Sequence, residues 1–599
     1  MVFIAKVTNT FALSCLLILF SSSIIKPSRA QTLDNIQQTQ NSPSFRELPS
    51  PQDVQPPPSP QPPPSQPTPS PPQRLPPPSE LLKPSPPILP SDEQLPPQGL
   101  IFQVKQFEFI GNTVFSDEKL TKLLAEFTNK QINFEKLLEA RSKIIELYKQ
   151  EGYITSGAYI PQQTLSNGIV QIEIIEGKLE DIKITGLRRL KPNYIRSRIN
   201  LGASTPLNRK RLVEALQLLQ INPLIQKLEA KLSPGSRLGS SLLAIEVTEA
   251  DSFNTQIVLD NARSPSIGSF QRQLQVNEAN LLGNGDGISV AYSNTDGNNT
   301  IDASYSLPLN PRNGTLTFKY GNTSADVIER PFNGLDIESA SQYYQLTFRQ
   351  PLVQTPNQEF ALGITASRRE SDIDSSVLEQ EDVPLSLLSP GADEQGNTRV
   401  SAIRFFQEWI ERDRQQVIAV RSQFSLGIGA FNATINSNAP DSRFFAWRGQ
   451  AQWVRLLAPD SLLVIRGDIQ LASTTLLASE KFGLGGINSV RGYRQDFLLK
   501  DNGALASVEL QLRILRVSEW DGLLQITPFI DVGTTWNNSS NRDENDTDTL
   551  AAIGLGLRWS QSNNFTAAVE WGIPLISVDK QGDSLQENGV YFSVKYNLF

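Results

Sequence analysis

The sequence contains no histidine, and its single cysteine, Cys15, lies near the N-terminus. Those shortages exclude a Ser-His-Asp triad, a Cys-His pair and a zinc site of the usual ligands. They exclude a disulfide framework as well. Only carboxylate chemistry remains on the enzymatic side, so no catalytic residue, metal ligand or cofactor site is assigned and none is expected. Basic residues are also in deficit, 54 Lys and Arg against 62 Asp and Glu, and the net charge of -8 argues against nucleic acid as a general partner. Beyond residue 30 no stretch stays apolar for the ~18 residues that a membrane helix needs. If this chain spans a membrane, it does so as a closed sheet.

What is present begins with an export signal. Residues 1–30 read as a signal peptide, with Lys6 as the positive region, Phe11 to Phe20 as the apolar region and Ser28-Arg29-Ala30 as the cleavage site. Apolar neighbours on both sides of Cys15 speak against a lipidated cysteine. Residues 31–99 form a Pro-rich linker with Ser and Gln and almost no aromatics. Such a composition cannot bury enough apolar surface to fold, so a disordered, extended spacer is expected rather than a ligand for a particular domain.

At residue 100 the texture changes. A strand from Phe102 to Ile110 precedes a helix capped at Ser116 and a longer one opened by Asn133, with Leu137, Ile144, Leu147 and Tyr148 at helical spacing. Strands Ala158 to Gln162 and Ile169 to Ile175 follow, joined through Ser166-Asn167-Gly168. This β-α-α-β-β order, over residues 100–178, recurs over 179–250 with helices near Pro192 to Ile199 and Asn208 to Leu219. Each module's sheet edge offers unpaired backbone groups to an extended peptide.

Residues 251–599 lose the helical pattern and alternate with period two, as in Ile288, Val290 and Tyr292 against Ser289, Ala291 and Ser293. About sixteen strands fit. Their connections alternate between short turns, such as Gly283-Asn284-Gly285 and Asn310-Pro311-Arg312, and long polar stretches, such as 370–397 and 473–502. A soluble sandwich also alternates but has no reason for that asymmetry, which an outer-membrane barrel requires. The expected fold is thus a transmembrane antiparallel β-barrel behind two α+β modules.

Within 473–502, the run K-F-G-L-G-G-I-N-S-V-R-G-Y-R-Q-D-F (481–497) centres on Val490, Arg491, Gly492 and Tyr493. By itself it reads equally as a glycine-rich surface loop. Together with the two modules, the barrel and the motifs Gly152-Tyr153, Tyr159-Ile160-Pro161, Glu176-Gly177 and Asn280 to Asp286, it resembles the ShlB/FhaC/HecB haemolysin secretion/activation family. These are the two-partner secretion (TpsB) transporters of the Omp85 superfamily, and the resemblance spans 101–599.

The resemblance implies that both modules are POTRA domains and that the loop follows strand eleven and folds back into the barrel. Arg491 would then meet Asp531 of the F-x-D-x-G motif, Phe529 to Gly533. Parity independently puts Asp531 on the lumen side with Gln525, Thr527 and Thr535. An ordinary lumen ion pair that only stabilises the barrel is the alternative. The resemblance further implies a pore in the outer membrane and in contact with its lipid. Its POTRA modules in the periplasm would recognise a secreted TpsA-like partner, a β-helical exoprotein of haemolysin or adhesin type. An assembly factor that inserts other barrels and a passive porin are the rival readings. Two features depart from the family pattern. Only Gln31 to Asn41 is available as a pore-plugging helix, and strict alternation puts Leu598 and Tyr596 on the lipid face instead of the terminal Phe599, so that either a bulge lies near Asn597 or the insertion signal is atypical.

Overall fold

The computed structural model describes residues 82–84, 101–163, 167–538, 547–579 and 582–598. The signal peptide with Cys15, Gln31 to Asn41, most of the proline tract, Ser166 and Phe599 lie outside the described residues.

Three residues of the proline tract depart from the expected disordered linker. Leu82–Pro84 is a strand, β1. The first module follows with β2 (Ile101–Val104), β3 (Gln106–Ile110), α1 (Asp117–Leu123), β4 (Lys130–Asn133), α2 (Phe134–Gln150), β5 (Gly157–Tyr159) and β6 (Ile169–Ile175). Ser116 caps α1, its hydroxyl accepting from Lys119 N at 3.3 Å, and Asn133 caps α2 by accepting from Lys136 N at 3.0 Å. On α2, Leu137, Ala140, Ile144 and Tyr148 are buried at helical spacing against Val170, Ile172 and Ile174.

Two readings of this module need correction. The expected strand from Phe102 to Ile110 is two strands, because β2 pairs with β4 in a small sheet of its own while β3 lies parallel to β6. The strand expected to reach Gln162 stops at Tyr159, two residues before Pro161, which has no N–H to continue a ladder.

The second module runs β7 (Lys178–Thr185), α3 (Pro192–Gly202), α4 (Arg209–Gln220), β8 (Ile225–Pro234) and β9 (Ser240–Glu249). Its sheet order is β1-β8-β9-β7, so the tract residues extend it by one parallel strand, Leu82 opposite Ala230 and Pro84 opposite Leu232. Leu82 is only 1% exposed and sits in the core with Leu212, Leu216, Leu228 and Leu232. Composition argued against a strand here, but one leucine placed between an open edge and a helix is enough to seat three residues.

The barrel starts with β10 (Phe253–Asp260), β11 (Gln271–Glu278), β12 (Gly287–Asn294), β13 (Asn298–Pro308), β14 (Thr315–Asp326) and β15 (Ile337–Gln354). It continues through β16 (Gln358–Ser375), β17 (Asn397–Arg412), β18 (Gln416–Ile428), β19 (Phe445–Ala458) and β20 (Ser461–Ala472). A short hairpin, β21 (Phe482–Leu484) with β22 (Leu498–Lys500), intervenes. The wall is completed by β23 (Asn502–Val517), β24 (Gly522–Trp536), β25 (Thr547–Gln561), β26 (Phe565–Pro574) and β27 (Val590–Asn597), which pairs back onto β10. The sixteen strands form one closed antiparallel barrel.

Outward residues such as Val290, Tyr292, Ile530, Val532, Val569 and Trp571 are exposed, whereas Thr527, Asp531 and Thr535 are buried in the interior. That is the inverted pattern of a sheet solvated by lipid. Pairing of β27 runs without a register shift as far as Asn597, and Tyr596 and Leu598 are exposed. The terminal strand therefore keeps strict alternation and has no bulge.

The second module is docked on the short turns. Arg189 reaches Glu278 at 2.8 Å and the Asn280 carbonyl at 3.0 Å, and Lys191 N donates to the Gly283 carbonyl at 2.9 Å. Arg198, stacked 3.5 Å over the Tyr194 ring, donates to Asn313 Oδ1 at 2.9 and 3.1 Å in the next turn. Within the first of these turns, Asp286 accepts from Leu282 N, Asn284 N and the Tyr305 hydroxyl. Residues 280–286 thus form a rigid seat for the module.

Candidate functional site

The long connection between the eleventh and twelfth barrel strands, β20 and β23, turns inward. Its β21–β22 hairpin and the segment between those two strands place Phe482, Leu484, Val490 and Tyr493 in one apolar cluster with Leu550 and Ala552 of β25. Gly533 on β24 makes room for this packing, since a Cβ there would lie 2.5 Å from the Leu484 side chain. Burying those four side chains is what draws a polar loop into the lumen.

Arg491 stands at the centre. It is 1% exposed, and its Nε and Nη2 donate to the two oxygens of Asp531 at 2.8 and 3.0 Å, a bidentate fork. Its backbone N–H also donates to Asp531, at 3.2 Å. Nη1 turns to two further carboxylates, Glu509 on β23 at 2.6 Å and Glu570 on β26 at 3.0 Å. The guanidinium lies 3.4 Å over the ring of Phe529, where a cation–π contact adds to the ion pairs. One cation thus ties three strands of the wall together through Asp531, Glu509 and Glu570.

The neighbours of Arg491 fix the backbone. Gly492 has φ of +102°, and a Cβ there would lie 3.3 Å from the backbone of Gly572 and Pro574. Its N–H donates at 3.0 Å to the hydroxyl of Tyr591 on β27, which in turn donates to the Tyr493 carbonyl. The Tyr493 hydroxyl lies 2.8 Å from the Ala551 carbonyl and accepts from Ile576 N at 3.3 Å. Arg494 adds an ion pair with Glu329, 2.7 Å away in the connection between β14 and β15.

Sequence reasoning named Asp531, Phe529 and Gly533 as the loop's partners but missed Glu509, Glu570 and Tyr591. Parity marks all three as inward, yet nothing in their own segments separates them from other inward polar residues.

The first-module motif residues lie elsewhere, Gly152 and Gly177 at the joint between the two modules and the others within the first. Arg209 N donates to the Gly152 carbonyl at 2.8 Å and Leu207 N to the Gly177 carbonyl at 2.6 Å. Glu176 accepts from Thr113 N and Val114 N at 2.7 and 3.1 Å and from the Tyr148 hydroxyl at 3.0 Å. Burial, and then the Glu176 carboxylate, push the Tyr148 phenol well above its usual range. Tyr153 packs edge-on against Tyr148 and Phe115, Tyr159 donates to Glu173, and the Pro161 carbonyl accepts from Gln163 at 3.3 Å.

Against known families, residues 102–177 match the ShlB-type POTRA domain, and residues 239–559, more than half of the chain, match the haemolysin secretion/activation protein family ShlB/FhaC/HecB. The chain belongs to that family. Among relatives of this ShlB/FhaC/HecB protein, the heme/hemopexin transporter protein HuxB of Haemophilus influenzae is 21% identical over 505 residues, 80% of this chain and 84% of HuxB. The outer membrane transporter CdiB of Dickeya dadantii is 23% identical over 485 residues, 79% of this chain and 82% of CdiB. In fold, the chain is similar to CdiB from Escherichia coli, with a TM-score of 0.64, 21% identity, and coverage of 86% of this chain and 92% of CdiB. CdiB from Acinetobacter baumannii gives 0.58 at 18% identity, over 86% of this chain and 94% of that one. As a ShlB/FhaC/HecB protein it is an outer-membrane transporter of two-partner secretion, with the POTRA region in the periplasm. The family consists of transporters rather than enzymes.

Proposed function

We propose that the periplasmic modules capture an exported, unfolded TpsA-like partner, a β-helical exoprotein of the haemolysin or adhesin type. The barrel, in contact with outer-membrane lipid along its exposed apolar belt, then passes the partner outward. The edge strands of the modules are the receptor, by β-augmentation. Folding of the partner outside drives the passage, since the outer membrane faces no ATP.

The observation that carries this reading is the burial of Arg491 inside the barrel on carboxylates from three strands. Val490, Arg491, Gly492 and Tyr493 act as a positioning element beside the path, with Asp531, Phe529 and Gly533 as its seat. A passive porin needs neither this loop nor a docked arm. Of the motif residues, Gly152 and Gly177 serve to set the angle between the modules, Tyr153, Tyr159, Pro161 and Glu176 brace the first module itself, and contact with the partner falls to the edges.

The test is deletion of residues 101–249 in cells that co-express an exported partner. Secretion should stop, while the remaining barrel still conducts ions in planar bilayers and still migrates faster unboiled than boiled on SDS gels. Secretion that survives the deletion would remove the arm as receptor.

A further inference from the structure

A cavity of about 340 Å³ lies in the lumen against β14 to β18, an arc of the barrel separate from the β23–β26 strands that hold Arg491. Five cations face it: Lys319, Arg349, Arg369, Arg404 and Arg421. Arg368 also borders it but is engaged by Glu370, at 2.8 Å.

The carboxylates nearby do not balance them. Glu408 is shared between Arg349 at 2.6 Å and Arg421 at 2.5 Å, Glu359 takes a second nitrogen of Arg349, and Glu480 accepts from Arg404 at 2.6 and 2.7 Å. Asp302 on β13, near Lys319, accepts from the cavity-lining Tyr343 at 2.8 Å, so five cations meet four carboxylates. The surplus falls on Lys319 and Arg369, for which no ion pair occurs among the described residues; Arg369 donates only to the Ser479 carbonyl, at 3.3 Å. Arg421 Nε is buried with no hydrogen-bond partner.

Buried donors are nearly always satisfied, and guanidinium forks match the geometry of carboxylate and phosphate oxygens. A confined wall with two cations outside any ion pair and an orphaned donor suits an anion with several acceptor oxygens. We propose that this wall is an oxyanion-binding site, taking a carboxylate or phosphate group between Lys319, Arg369 and Arg421.

The site has a second consequence. Ser479 and Glu480, which hold Arg369 and Arg404, form the stem of the connection that carries Arg491. An oxyanion seated here competes with the Ser479 carbonyl for Arg369, so occupancy weakens the stem's hold on the wall. Two sources supply the same chemistry: free phosphate, and acidic side chains of a chain in transit. Only the second rests on the translocation reading.

The test uses the full chain in detergent and in planar bilayers, with inorganic phosphate and hexaglutamate as probes. Either probe should raise the temperature at which the folded gel band converts to the unfolded one, and should lower chloride current with saturation. Lys319→Gln with Arg369→Gln should raise the half-effect concentration about tenfold, as loss of charge-assisted contacts requires. It should also shift the reversal potential in a KCl gradient towards cation preference. Arg558→Gln, which removes a lumen cation on β25, should leave the probe response unchanged. Effects of both probes point to a general oxyanion site, and an effect of hexaglutamate alone points to the transiting chain as the source. The proposal is overturned if neither probe shifts the band, or if the double variant responds like the wild type. Loss of secretion by the double variant would bear on the translocation reading separately, because the band shift needs no partner.

Discussion

Replacing Arg491 by alanine removes one fork and two single contacts at once and leaves Asp531, Glu509 and Glu570 facing each other without their shared cation. Breaking a buried ion pair from one side costs ~3–5 kcal/mol. Screening reduces that figure only where water reaches the pair, and here Arg491 is 1% and Asp531 0% exposed. At ~1.4 kcal/mol per factor of ten, the released fraction of the loop should rise by roughly two to three and a half orders of magnitude. The barrel should survive, because its backbone hydrogen bonds are closed around the whole circumference. Secretion of a co-expressed partner should fall to background at normal abundance and heat-modifiability. Chymotrypsin added to whole cells should cut at Tyr493 or Phe497, which are protected in the wild type. Arg491→Lys should recover only part of the activity, since an ammonium cannot span both oxygens of Asp531. Asp531→Ala combined with Arg491→Ala should be no worse than either alone. Wild-type secretion by Arg491→Ala with the loop still protected would refute the reasoning.

Three further outcomes are expected. Leu82→Asp should eject β1 by removing ~1.5–3 kcal/mol of apolar burial, seen as faster proteolysis within residues 31–99 with an unchanged barrel. Arg198→Ala should loosen the second module from the turn at Asn313, detected as faster proteolysis at Arg312, and should impair secretion without changing single-channel conductance. Glu180 is held at a pKa of about 2, below its usual 4.5, by hydrogen bonds from Ser236 and Ser240. A depressed carboxylate stabilises the fold above the unfolded pKa and loses that contribution as pH falls. The second module should therefore weaken between pH 4.5 and about 2, and Glu180→Gln should flatten that dependence in a thermal melt.

The barrel could be read in advance because lipid and lumen impose a strict period of two. The same parity puts Asp531 inside and Ile530 and Val532 outside. The helix starts at Ser116 and Asn133 were legible for a similar reason, each cap being a local side-chain-to-backbone bond. Long-range choices were not legible. Glu509 and Glu570 lie 18 and 79 residues from Arg491, and only barrel closure brings them to one guanidinium. The strand at Leu82 escaped notice because composition averages over a segment, while burial there depends on one side chain meeting the edge of β8. The split of β2 from β3 depended on which sheet each joins, and that is a tertiary decision.

The contact between Gly492 and Gly572 separates shape from charge at this site. A Cβ on Gly572 would lie 2.6 Å from Gly492 N and 2.7 Å from the Arg491 carbonyl carbon. Gly572 lies in a regular strand, so alanine there distorts nothing in its own backbone and alters none of the charged groups. Gly572→Ala is in effect a wedge, driving the loop off the wall with its guanidinium and all three carboxylates intact. If it reproduces Arg491→Ala, the transporter responds to where the loop sits. If it leaves secretion normal, the loop must act through the charge that Arg491 carries.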